Sequence, residues 1–262
     1  MEKHKVNLTV EGRETTLKIV TSGQPDTVIY LGFGNEGRAA EHSVKLLQEQ
    51  GITDVAVVGP LPYWWAAATQ TALQDIGTVG TIAAADYIRK RFKVKTLHAI
   101  GESQAGGALV YGALARPDVL TGRVALLKPM GLVSLGRREF ARRHMQDIRL
   151  SRHSLDWRVW PIAGHVTKRV LQDWAQKGDR LAIGLSWEIG ASLRQLHQQK
   201  SGSVRIFAAQ NDKLYPPAAM RATLKKFDLE DLLIVIAGNH SSPATRAGSR
   251  QVKAGIEWCR SN

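Results

Sequence analysis

Thr96-Leu97-His98-Ala99-Ile100-Gly101-Glu102-Ser103-Gln104-Ala105-Gly106-Gly107 joins a short apolar run to an Ala/Leu/Val-rich segment through a serine set among small residues. The run reads as a buried strand, the serine as the apex of a tight turn, and the segment after it as a helix. The residues follow the pattern Gly-x-Ser-x-Gly, with Ala105 in the place of the last glycine and two glycines directly after it. A turn this sharp strains the backbone of its central residue, which accounts for the small neighbours. It also lifts the hydroxyl out of the sheet beside a helix N-terminus. Ser103 is the candidate nucleophile, and the competing reading is a serine that merely caps the helix.

Outward from this stretch, compact apolar runs alternate with helical segments. Val6–Val10 and Thr15–Val20 flank Glu11-Gly12-Arg13-Glu14 and read as an antiparallel hairpin. Thr27–Leu31, Asp54–Val58, Arg123–Leu127, Ser203–Ala209 and Leu232–Ile236 read as further strands. Helical spacing covers Glu41–Gln50, closed by Gly51, then Thr81–Phe92 and Ala105–Leu114, the last stopped by Arg116-Pro117. The alternation predicts an α/β protein with a mostly parallel, doubly wound sheet. In such sheets chemistry gathers in the loops at the carboxyl ends of the strands.

The 262 residues suffice for one large α/β domain with an insertion. About seventy residues separate the strand ending at Leu127 from the one opening at Ser203, too many for a bare loop. Helical stretches at Arg137–Arg149, His165–Gln176 and Trp187–Gln199 predict an inserted helical lid. The expected organisation is a core made of 1–132 and 201–262, with a cap over 133–200.

Lys and Arg number 36 against 23 Asp and Glu, a formal charge of +13. The basic residues are spread along the chain and match no nucleic-acid-binding module, so the charge is expected on a solvated surface. One cysteine excludes a disulfide framework, and no Cys/His spacing suits zinc. No apolar run reaches the roughly 20 residues that span a bilayer, and the start lacks the apolar core of a signal peptide. A cytoplasmic protein without metal or cofactor is expected, with a homo-oligomer left open.

Two residues then gain meaning from position. Asp212 lies just past one buried strand, in Gln210-Asn211-Asp212-Lys213-Leu214-Tyr215-Pro216-Pro217, and His240 just past the last, in Gly238-Asn239-His240-Ser241-Ser242. Both therefore belong to the sheet edge that carries Ser103. With the elbow, and with Ser, Asp and His in this order, nearly the whole chain resembles the α/β-hydrolase superfamily, its serine esterases and lipases with a helical cap. The resemblance implies Ser103 as nucleophile, His240 as base and then acid, and Asp212 as the carboxylate that orients the imidazole. The chemistry needs each of them: a hydroxyl is a weak nucleophile without a base in reach, and the base needs a fixed tautomer.

The resemblance further implies an oxyanion hole of backbone N–H groups from Gln104 and Phe33, the latter in the loop Leu31-Gly32-Phe33-Gly34. Gly34 and the aromatic run Tyr63-Trp64-Trp65, which follows a strand end, are candidate pocket residues for a small ester-like substrate. Glu102 is expected at the pocket mouth or in local hydrogen bonds, and His98, inside the elbow strand, as a core histidine. The expected activity is cleavage of carboxylic esters through an acyl-enzyme. A carbon–carbon bond hydrolase or lactonase with the same triad, and a ligand-binding relative with little turnover, are the alternatives.

Overall fold

The structure, a computed structural model, describes residues 1–10, 13–32, 38–59, 70–136, 138–140, 142–143, 146, 188–240 and 245–261. Among the described residues eight strands form one sheet: β1 (Glu2–Val10), β2 (Arg13–Ser22), β3 (Thr27–Tyr30), β4 (Val55–Val58), β5 (His98–Glu102), β6 (Val124–Leu127), β7 (Val204–Ala209) and β8 (Leu233–Ile236). Their order across the sheet is β1-β2-β4-β3-β5-β6-β7-β8. β2 runs against both of its neighbours, and β3 to β8 are mutually parallel. The hairpin expected from the sequence is present, with its register running from Glu2 opposite Thr21 to Val10 opposite Arg13.

The central strands are apolar on both faces because helices cover both. β3, β4 and β6 are buried at every position. On one face lie α1 (Arg38–Gln48) and α6 (Arg246–Arg260), whose Val44, Leu47, Val252 and Ile256 pack on Ile29, Val57, Ile100 and Leu127. On the other lie α2 (Gln70–Phe92), α3 (Gln104–Ala115), α4 (Gly190–Gln199) and α5 (Pro217–Lys225), which close over Val28, Ala99, Leu126 and Ile206. Period-2 strands whose alternate residues feed two separate cores leave no polar face, which is why these strands read as unbroken apolar runs.

Most of the segment expected to form a cap falls outside the described residues, and its two ends are anchored in the core. Leu135 and Phe140 are buried at the leading end, and Ile189, Leu193 and Leu196 at the trailing end, where α4 packs on α3. Among the described residues no helix is long and apolar enough to cross a membrane.

Candidate active site

Ser103 sits between β5 and α3 with φ 54° and ψ −116°, a region that residues with a side chain rarely occupy. Such strain persists only where neighbours over-determine the backbone. Here the Ser103 N–H donates to the Leu127 carbonyl at 2.9 Å, and the Ser103 carbonyl accepts from Met130 N at 2.8 Å and Gly106 N at 3.1 Å. The hydroxyl makes no capping bond to the helix, so the plain N-cap reading of this serine does not hold.

The small residues have a specific use. A Cβ on Gly101 would stand 2.7 Å from Gly106 Cα and 2.8 Å from the Ala105 carbonyl oxygen, and one on Gly106 would meet the Gly101 carbonyl at 3.0 Å. Strand and helix therefore touch through Gly101 and Gly106. Ala105 is tolerated in the motif's last position because the close approach falls one residue later.

Backbone bonds continue the carboxyl edge of the sheet beyond the strands themselves. Lys128 N donates to the Phe207 carbonyl at 2.8 Å, Gln210 N to Ile236 at 2.8 Å, and Asn211 N to Gly238 at 2.8 Å. This lacing carries Asp212 and His240 at fixed places on the edge that also holds Ser103. Asp212, 2 % exposed, directs Oδ2 at His240 Nδ1, 2.8 Å away, and accepts the Tyr215 N–H on Oδ1 at 2.7 Å. One carboxylate thus holds the ring and the turn that carries the carboxylate.

Burial by itself pulls the His240 imidazole below its ordinary value. The charge of Asp212 and its hydrogen bond push it up, Lys128 pulls it down and Glu102 pushes it up, and the net result is a raised pKa. Tyr215 packs edge-on against the His240 ring with centroids 5.2 Å apart. Burial, then the charges of Asp212 and Glu102, raise the Tyr215 phenol, so it stays protonated.

Gln104 is the first residue of α3, so its N–H has no intrahelical acceptor. Phe33 and Gly34, and the aromatic run Tyr63, Trp64 and Trp65, lie outside the described residues. Gly32 is described, and it rests on the elbow: its N–H donates to Glu102 Oε2 at 3.2 Å, and a Cβ there would stand 2.6 Å from the Glu102 carbonyl oxygen. Glu102 is 4 % exposed and engaged inward, so it is not a residue of a pocket mouth. His98 is structural, though half-buried at the start of β5 and not in the core, its Nδ1 accepting from Arg123 N at 3.0 Å. Lys128, Tyr215 and Gln251, which face this site, lie in no motif, and the only hint of Lys128 was a cation directly after a buried strand. Among the described residues no group of His, Cys, Asp and Glu could hold a metal ion.

The strand order, the nucleophile-type elbow after β5 and the helices on both faces are those of the α/β-hydrolase fold, and this chain has that fold. An esterase from Thermogutta terrifontis superposes with a TM-score of 0.56 at 16 % identity, over 99 % of this chain and 98 % of that one. The 2-hydroxy-6-oxo-6-phenylhexa-2,4-dienoate hydrolase of Rhodococcus sp. strain RHA1 gives 0.57 at 16 % identity, over 99 % of each chain. A serine hydrolase from the polyaromatic-hydrocarbon-degrading bacterium Cycloclasticus zankles gives 0.58 at 14 % identity, over 98 % and 97 %. No protein-family model and no curated protein sequence matches the chain.

Proposed function

We propose that the protein is a serine hydrolase that cleaves carboxylic esters with Ser103, His240 and Asp212. The observation that carries this reading is a strained serine with an uncommitted capping role, on the edge where a buried aspartate holds a histidine at 2.8 Å. With Nδ1 donating to Asp212, the neutral His240 ring presents Nε2 as an acceptor, the form that takes a proton from a serine hydroxyl. Ser103 Oγ attacks the ester carbonyl while that proton passes to His240. The negative charge that develops on the carbonyl oxygen is met by N–H groups of Gln104 and Phe33. His240 then protonates the leaving alcohol, and a water activated by the same ring releases the acid. Asp212 keeps its charge throughout and stabilises the imidazolium.

The cap over 133–200 and the residues Gly34, Tyr63, Trp64 and Trp65 belong to this proposal as the walls of the substrate pocket. No step needs a cofactor. A second reading, a carbon–carbon bond hydrolase or lactonase with the same three residues, draws on the presence of a dienoate hydrolase among proteins of this fold. A fluorophosphonate probe tests the shared core of both readings. Stoichiometric labelling of the intact protein, absent in Ser103→Ala, is the expected result, and an unlabelled folded protein would overturn it. An ester panel varying acyl length, alcohol and charge, run beside a lactone and a dienoate, then separates the bond types.

A further inference from the structure

A buried cation lies beneath the proposed site with no part in the chemistry above. Lys128 follows β6 directly, is 1 % exposed and holds φ 47°, a left-handed backbone. Its Nζ donates to Gln251 Oε1 of α6 at 2.7 Å and lies 3.8 Å from Glu102 Oε1. Gln251 passes the link on, its Nε2 donating to the carbonyls of Asn239 at 3.0 Å and Ala237 at 3.4 Å. Glu102 passes it the other way, accepting the Gly32 N–H at 3.2 Å. Gly238, at φ 118°, lets the chain turn tightly over the Gln251 amide, since a Cβ there would stand 2.5 Å from Nε2.

We infer that Lys128, Glu102 and Gln251 are positioning residues that clamp the His240 loop and the Gly32 loop to either side of the Ser103 elbow. This rests on the proposed roles of Ser103 and His240. A buried ion pair is a poor source of stability, because desolvating two charges offsets most of their attraction. Its directionality is the gain: Glu102 accepts the Gly32 N–H, and Lys128 fixes the Gln251 amide whose Nε2 donates to the carbonyls of Ala237 and Asn239, whereas an apolar filler would leave the Gly32 N–H without this partner and the amide without its anchor. The pair also brings opposite charges to bear on His240, Lys128 disfavouring the imidazolium and Glu102 favouring it. Among the described residues, the other titratable groups against that ring are Asp212 and the protonated Tyr215, both from the loop after β7.

The test follows the His240 ring by NMR, its signals assigned with His240→Gln, in Lys128→Met, Glu102→Gln, the double variant and Gln251→Met. Labelling of Ser103 by fluorophosphonate is measured on each. Lys128→Met should raise the His240 titration midpoint, Glu102→Gln should lower it, and the double variant should return it towards wild type. Gln251→Met keeps both charges, so it should leave the midpoint near wild type while slowing labelling about tenfold or more through a displaced His240 loop. If Lys128→Met does not fold, Glu102→Gln and the double variant carry the same comparison. Folded variants whose midpoints all coincide with wild type overturn the inference, as does Gln251→Met with a wild-type labelling rate. Ring titration does not require turnover, so a protein that fluorophosphonate never labels overturns the proposed hydrolase alone; the clamp is then read from the backbone amide signals of residues 32 and 237–240, which Gln251→Met should shift and which, unshifted, would overturn the inference.

Discussion

Asp212→Asn separates two bonds made by one carboxylate. Oδ1 accepts the Tyr215 N–H at 2.7 Å, and Oδ2 faces His240 Nδ1 at 2.8 Å. An asparagine can keep the first bond only with its oxygen towards Tyr215, because its NH₂ group there would oppose another donor. The NH₂ group must then face His240 Nδ1, which becomes an acceptor and sends the ring proton to Nε2. That tautomer is already protonated where, in the proposed mechanism, it should receive the serine proton. The expected loss in kcat/KM is about 10³- to 10⁴-fold, smaller than for Ser103→Ala.

Stability should change far less, by about 1–2 kcal/mol, since a charge-assisted bond becomes a neutral one and the turn bond survives. Asp212→Ala additionally strands the buried Tyr215 N–H, for about 1–3 kcal/mol more. The pH profile should move as well: burial pulls His240 down and Asp212 is the foremost upward influence, so without the aspartate the ring should titrate below its ordinary 6.5. Ester turnover against pH, with urea denaturation of the same samples, measures all three. An Asp212→Asn enzyme within about tenfold of wild type would refute the tautomer argument. So would an Asp212→Ala variant as stable as Asp212→Asn.

The proposed mechanism needs neutral His240 in the wild type, so kcat/KM should climb with pH through a midpoint above 6.5, and a lower midpoint counts against the Asp212 contact. The same shift means that protonated His240 stabilises the fold; this contribution is complete below 6.5 and lost as pH rises through the higher folded-state value, which urea midpoints across the neutral range will show. Gly32→Ala forces a methyl to 2.6 Å from the Glu102 carbonyl oxygen, so the loop must lift off the elbow; a fold weakened by about 1–3 kcal/mol and labelling slowed about 10²-fold are expected in denaturation and probe kinetics. Burial pushes the Cys259 thiol up to about 12, so a disulfide reagent at about pH 8 should leave the folded protein unmodified and react fully in denaturant.

Much of the site was legible because its chemistry follows the strands in chain order. Asp212 and His240 could be placed on the Ser103 edge from apolar runs alone, since a residue just past a parallel strand can lie nowhere else. Phe33, Gly34 and the Tyr63-Trp64-Trp65 run lie outside the described residues. For Glu102 the choice between a pocket mouth and local hydrogen bonds stayed open, because a carboxylate beside Ser103 shows nothing in sequence of the cation and the backbone amide that draw it inward.

The sequence by itself determined the class of sheet, the elbow and the chain order of serine, aspartate and histidine. These are encoded locally, in apolar periodicity, small residues and turns. Only the tertiary structure decided that Gly101 meets Gly106, that Asp212 also holds the Tyr215 N–H, and that Lys128 reaches Gln251 across 123 positions of chain. A buried polar partner is chosen by direction and distance in a low-dielectric interior, and neither leaves a periodic trace in the order of residues.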